Sequence, residues 1–152
     1  MLRRTVKVGA IVAVVLFVAV QFVPYGRDHD NPPVTNEIAW DSPRTEELTR
    51  AACFDCHSNE TEWPWYSNVA PMSWLVQMDV EEGRDKLNYS VPDGMDDAGE
   101  SAEVVAEGEM PPRNYTLLHA DARLSDAERE ALVEGLIATF GDEGDERDDD
   151  DD

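Results

Sequence analysis

The chain has 152 residues and a formal charge of −22, from 34 acidic and 12 basic side chains. That length accommodates one modest domain. A surface this acidic would repel a phosphate backbone, which excludes nucleic acid as a partner. The simplest interpretation of the acidity is a solvated, soluble surface; a surface that attracts a basic protein and adaptation to a high-salt habitat, which abundant acid with scarce lysine also suits, are the alternatives.

The first 25 residues predict a membrane anchor. Arg3, Arg4 and Lys7 precede an almost unbroken apolar run from Val8 to Val23, whose helical length approaches the hydrocarbon thickness of a bilayer. The flanking charges predict a single-pass inner-membrane protein with a cytoplasmic N-terminus and an outer, periplasmic or extracellular, domain. A cleaved signal sequence is the rival interpretation, although no small-x-small cleavage site follows the run.

Composition divides the rest of the chain into three parts. Residues 26–41 are rich in Pro, Asp and Asn and predict a linker. Residues 42–140 contain the periodic apolar positions of a folded domain. The acidic stretch 141–152 predicts a disordered tail.

The domain opens with two predicted helices. Ser42 followed by Pro43 is a typical helix start, and the helix formers after it predict a helix that runs into Cys53. A second helix is predicted from Ser73, with Gly83 near its end.

Two further helices complete an all-α prediction. A short one ends at Gly108, and a longer one starts at Ser125, with Glu128 placed for a capping box. No segment alternates with period two, so no strand is expected. Four short helices joined by long loops bury little apolar surface, and a bound cofactor often compensates for such a deficit.

The motif "CFDCH" contains both cysteines of the chain, Cys53 and Cys56, followed at once by His57. A thioredoxin-type dithiol would need a helix N-terminus after a strand, whereas these cysteines follow a predicted helix. A closed zinc site needs four ligands, and the remaining histidines, His29 and His119, lack ligand spacing. A covalent haem accounts for all three residues, because two thiols bond the two vinyl groups and the histidine ligates the iron.

The run "CFDCHSNETEWPWYSNVAPMSWLVQMDVEEGRDKLNYS" and the later "GEMPPRNYTLLHADARLSDAEREAL" resemble the haem-binding domain family of small cytochrome-c-like proteins. The resemblance covers roughly residues 40–140. It implies a cytochrome-c-like helical fold with long loops around one covalent haem c, tethered to a membrane.

The candidates for the second axial ligand of the iron are His119 and the methionines Met72, Met78, Met95 and Met110, of which Met110 fits best. Met110 lies in the proline-stiffened loop "GEMPPRNY", a setting in which cytochromes with an N-terminal CxxCH place their distal methionine. His119 and Met72 are the alternatives. Side chains that could line the haem pocket are Trp63, Trp65 and Tyr66, and cations that could pair with a propionate are Arg84 and Arg113.

These features predict an electron carrier that moves one electron between redox partner proteins with basic docking surfaces. The alternatives are a haem-based sensor or ligand-binding domain and a peroxidase-like enzyme, both with a displaceable sixth ligand. A haem-free CxxC thiol oxidoreductase is the remaining alternative.

Overall fold

Seven α-helices and two 3₁₀ turns, with no strand, make up the described residues 2–141 of the computed structural model. The all-α prediction is therefore confirmed. The predicted tail falls almost wholly on residues 142–152, outside the described part. The helices are α1 (Leu2–Val20), α2 (Pro43–Ala52), α3 (Phe54–His57), α4 (Met72–Lys86), α5 (Ser101–Ala106), α6 (Arg113–Leu118) and α7 (Asp126–Phe140), and the 3₁₀ turns are Trp65–Asn68 and Pro92–Gly94.

The prediction of a membrane anchor in residues 1–25 is wrong. Among residues 2–141 no helix combines the length and the apolar character that crossing a bilayer requires. Helix α1 ends at Val20, and three cations occupy its first two turns. Its apolar part, residues 8–20, rises about 20 Å at 1.5 Å per residue, whereas the hydrocarbon core is roughly 30 Å thick. The predicted single-pass topology and the inner-membrane localisation depended on that anchor and are wrong for the same reason.

Helices α2, α5 and α7 pack around the first of two apolar clusters. Its buried members include Leu48 from α2, Val105 from α5, and Leu132 and Leu136 from α7. Helices α2 and α7 approach closely because Gly135 has no side chain: a Cβ there would collide with Thr45 Oγ1. The predicted start of α2 is confirmed, since the Ser42 side chain accepts a hydrogen bond from the Thr45 amide.

The second cluster lies where the CxxCH segment leaves α2. Phe54, Leu87, Tyr89 and Ala98 are its buried members. Cys53 packs against both clusters, so the motif begins at the junction of the two halves of the core.

Helix α4 has Gly83 in its last turn, as the sequence predicted, and stops at Lys86. Gly83 lies inside the helix because it faces the motif: a Cβ there would lie 2.6 Å from the Cys56 carbonyl oxygen. Helix α6, six residues long, was not predicted. Tyr115 on α6 holds it against α3 through a 2.7 Å hydrogen bond from its hydroxyl to Asp55.

Residues 26–41 carry no regular secondary structure but hydrogen-bond to the helical part. The amides of Thr35 and Asn36 donate to the Ser90 carbonyl at 2.8 and 3.0 Å. The Asn59 side chain, two residues after the motif, donates to the Pro33 carbonyl at 3.1 Å. These contacts hold the segment against the loops that follow α3 and α4.

The capping box predicted at the start of α7 is confirmed and supplies a stability test. Ser125 Oγ accepts from the Glu128 amide, and the Glu128 carboxylate accepts from the Ser125 amide. Ser125→Ala should lower the free energy of unfolding by about 1 kcal/mol, because the amide loses its acceptor. Denaturant titration measures the loss, and Ser125→Asp, which keeps an acceptor, should restore most of it. Equal stability of the alanine and aspartate variants would contradict this prediction.

Candidate functional site

The CxxCH motif forms a single helical turn directly after α2. The Cys53 amide donates to the Thr49 carbonyl at 2.8 Å, and the His57 amide donates to the Cys53 carbonyl at 2.9 Å. This turn brings both cysteines and the histidine to the wall of one cavity of about 330 Å³. Met110, from the loop between α5 and α6, lines the same cavity.

A second cavity of about 200 Å³ adjoins the first and shares Cys53, His57 and Met110 with it. Tyr89 and Val105 contribute to its largely apolar wall. Cavities that hold cofactors are mostly apolar, with a few convergent polar groups, and occupy roughly 300–1,000 Å³. Together the two cavities, called here the inner site, match that description.

His57 is held in an orientation suited to metal ligation. Its Nδ1 lies 3.1 Å from the Leu87 carbonyl oxygen and donates to it, so the lone pair of the neutral ring is on Nε2. Burial of the ring lowers the pKa of His57, although hydrogen bonds to the backbone of Leu87 and Gly83 oppose the shift. A neutral imidazole fixed through one nitrogen is the usual form of a metal-ligating histidine.

Cys53 and Cys56 are free thiols in the structure. Burial raises the pKa of each to about 12, and the carboxylate of Asp79 adds to the shift at Cys56. Both sulfurs are therefore protonated at neutral pH. A redox dithiol needs the opposite, a thiol pKa lowered toward neutrality.

Met110 is fixed through its backbone on both sides. Its amide donates to the Val104 carbonyl at 3.1 Å. Its carbonyl accepts from Arg129 Nη1 at 3.3 Å, and the same nitrogen donates to the Val105 carbonyl at 2.6 Å. Helix α7 thus holds the loop that carries Met110. No pattern in the sequence marks Arg129, which lies in α7 like any other charged helix residue.

The other two candidate axial ligands lie elsewhere. Met72 and His119 line a third cavity of about 180 Å³, called here the outer cavity, which Cys56 also lines but His57 does not. Both His119 nitrogens are engaged, Nε2 with the Tyr66 hydroxyl at 3.2 Å and Nδ1 with the Tyr115 carbonyl at 3.0 Å.

The predicted pocket aromatics do not line the inner site. Trp63 stacks on His29, with ring centroids 4.7 Å apart. Trp65 is 79 % exposed, and Tyr66 lines the outer cavity.

The cation that lines the inner site is not one of those that the sequence suggested as partners for a haem propionate. The Arg84 guanidinium donates four hydrogen bonds to protein acceptors, on Ser58, Asp30, Asn31 and Thr61. Lys86, which sequence reasoning did not single out, lines both inner cavities. A lysine at the end of α4 carries no pattern that would mark it in a single sequence.

The zinc interpretation finds no support within residues 2–141, where no three His, Cys, Asp or Glu side chains are arranged to hold a metal ion. His29 instead accepts or donates a hydrogen bond at Ser67 Oγ, 2.9 Å away.

Comparison with known proteins identifies the family. The family model described as a haem-binding domain matches residues 15–138, which is most of the chain. No curated protein and no solved structure is significantly similar to it. The match spans the motif, both inner cavities and the Met110 loop. The chain therefore belongs to the haem-binding domain family and is a haem-binding protein.

Proposed function

We propose that this protein is an electron carrier with one covalently attached haem c. The observation that carries the proposal is that four side chains with the required chemistry, Cys53, Cys56, His57 and Met110, line one cavity. Haem, when bound, supplies an iron centre that accepts and releases one electron. The residues fit this group, since the inner site combines apolar walls with two thiols, an imidazole and a thioether.

Each of the four side chains has a definite part in the proposal. The Cys53 and Cys56 thiols would hold the haem through thioether bonds, and His57 Nε2 and Met110 Sδ would bind its iron. Lys86 is the nearest candidate partner for a propionate, because it lines both inner cavities.

The raised pKa of both thiols argues against a haem-free thiol oxidoreductase. Such an enzyme attacks as a thiolate, and a thiol with a pKa of about 12 is almost entirely protonated at pH 7. Addition to a vinyl group makes no use of a lowered pKa. The cysteines are therefore better suited to holding a cofactor than to exchanging disulfides.

Met110 favours a carrier over a sensor or a peroxidase-like enzyme. An electron carrier keeps both axial positions filled, whereas sensing and peroxide chemistry need an open one. A peroxidase would also need a distal acid–base group, and the candidate from the sequence, His119, does not line the inner site and has both nitrogens hydrogen-bonded to tyrosines.

The proposal is tested with the full chain produced in a host that carries out cytochrome c maturation. After denaturation and acid–acetone extraction the colour should stay with the polypeptide. The ferric spectrum should show the weak band at about 695 nm that marks methionine–iron ligation. Ascorbate should reduce the protein, and carbon monoxide should bind slowly. Extractable haem would overturn covalent attachment, and a high-spin spectrum with rapid carbon monoxide binding would favour the sensor or enzyme.

A further inference from the structure

Three elements of the domain carry nearly all of its exposed large apolar side chains. Among residues 42–141 the exposed large apolar side chains, apart from Ile137, belong to the first 3₁₀ turn, α4 and α6: Trp65, Leu75, Met78, Leu117 and Leu118. Leu75 and Leu118 line the outer cavity beside Tyr66. Trp65, Leu75 and Leu118 are called here the tryptophan patch. Clustered exposed apolar groups of this kind mark interaction surfaces.

The tryptophan patch is connected to the inner site by aromatic rings in contact. The rings of Trp65 and Tyr66 lie 5.9 Å apart, and those of Tyr66 and His119 lie 6.3 Å apart. His119 stacks on Tyr115 at 3.9 Å. Tyr115 lines both the outer cavity and the inner site, as does Cys56. The outer cavity beside the patch and the inner site are therefore separated by shared wall residues, Tyr115 and Cys56.

Carboxylates surround the patch without compensating cations. Glu62 and Asp79 line the outer cavity, and Asp121 lines the adjoining surface cleft together with Leu118. The ion pairs formed among residues 2–141 include none of these three acids. Arg50, the cation of that cleft, is already paired with Glu46 and Glu60. The patch is thus an apolar centre with a negative rim.

We infer that the tryptophan patch is the docking surface for a basic electron-transfer protein, one whose apolar contact is ringed by lysine or arginine. This inference rests on the proposed function, because it supplies the partner for the haem electron. A second copy of this chain fits the patch less well, since two negative rims would face each other. A basic rim on the partner complements Glu62, Asp79 and Asp121 and would accelerate encounter at low salt.

The test uses the haem-loaded full chain and zinc-substituted mitochondrial cytochrome c, a basic protein that binds without reducing or oxidising the haem in the dark. Titration calorimetry at low and at physiological salt measures the dissociation constant. Glu62→Gln combined with Asp79→Asn and Asp121→Asn should raise it about tenfold at low salt. Trp65→Ser with Leu118→Ser should raise it roughly tenfold at both salt concentrations. Quenching of the zinc porphyrin triplet by electron transfer should fall in parallel.

The matched control removes the same three charges elsewhere. Asp93→Asn combined with Glu103→Gln and Glu107→Gln alters exposed acids that line neither the outer cavity nor the cleft, and it should change the dissociation constant less than twofold. If both triple variants weaken binding of the zinc protein equally, or if neither weakens it, the inference is wrong. If the chain self-associates and Trp65→Ser abolishes the self-association, the occupant of the patch is a second copy of this chain and not a basic partner.

Failure of the inference and failure of the proposed function give different results. Binding to the zinc protein reports on the surface, whereas ascorbate reduction reports on the haem. If ascorbate reduces the haem while the patch variants bind the zinc protein normally, the inference about the docking surface is wrong and the proposed function stands. If the chain carries no covalent haem, the proposed function itself is contradicted.

Discussion

Replacing Gly83 with alanine should lower the free energy of unfolding by about 1–2 kcal/mol and sharply reduce the amount of haem that is attached. A Cβ at this position would lie 2.6 Å from the Cys56 carbonyl oxygen and 2.9 Å from the Cys56 Cβ. The first of these neighbours is backbone, so α3 and α4 would have to separate. Overpacking of this kind costs roughly 1–3 kcal/mol, and it outweighs the ~1 kcal/mol that alanine gains over glycine inside a helix.

The loss of haem should follow from displacement of the motif. Moving the Cys56 backbone shifts its thiol relative to Cys53 and His57, and covalent attachment needs all three in place. Denaturant titration measures stability, and the haem content of the purified chain measures attachment.

Gly9→Ala is the matched control, because Gly9 also lies inside a helix and a Cβ there would have nothing within 4 Å. It should leave stability unchanged or raise it slightly. If Gly83→Ala and Gly9→Ala behaved alike, the close approach of α4 to the motif would not constrain the site.

The contrast between Gly83 and Ser125 shows which parts of this fold are accessible from the sequence. A capping box is a local signal, because its acceptor and donors lie within four residues, and the start of α7 was predicted correctly from Ser125 and Glu128. A glycine inside a helix is a local signal for termination. Inside α4 the glycine is instead required by a close contact with Cys56, which is distant in sequence and leaves no local signal.

Helix α6 was missed for a related reason. Six residues after Pro112 are too few for an apolar period to show. Its contacts are tertiary: Tyr115 bonds Asp55, and His119 bonds Tyr66. The anchor prediction failed for a different reason. The apolar run is present in the sequence, but the helix that contains it stops at Val20 and has three cations in its first two turns.

The functional site also contains residues that a sequence pattern indicates and residues that only the folded structure brings together. The spacing of Cys53, Cys56 and His57 is a chemical pattern that reads directly from the chain. The position of Met110 in the same cavity depends on the packing of α5 against α7 and on the bonds from Arg129, and the outer location of His119 and Met72 depends on other tertiary contacts. Arg129 and Lys86 carry no sequence pattern and are visible only in the folded structure.

Met110→Ala should abolish the band at about 695 nm, speed carbon monoxide binding, and lower the reduction potential by on the order of 0.1 V. Thioether ligation favours the ferrous state, so its loss lowers the potential within the roughly 0.8 V range that axial ligands span. Arg129→Gln should weaken the same band, because Arg129 Nη1 bonds the Met110 and Val105 carbonyls and holds the loop. Absorption spectra and redox titration measure these changes.

Arg123→Gln is the control for a general effect of losing an arginine. Arg123 donates to the Thr116 and Leu117 carbonyls at 2.7 and 3.3 Å, bonds of the same kind that lie away from Met110. It should leave both the band and the potential unchanged, while Arg129→Lys should recover part of the band. A band that survives Met110→Ala would assign the distal sulfur to another methionine, and Arg129 would then hold a loop with no part in ligation.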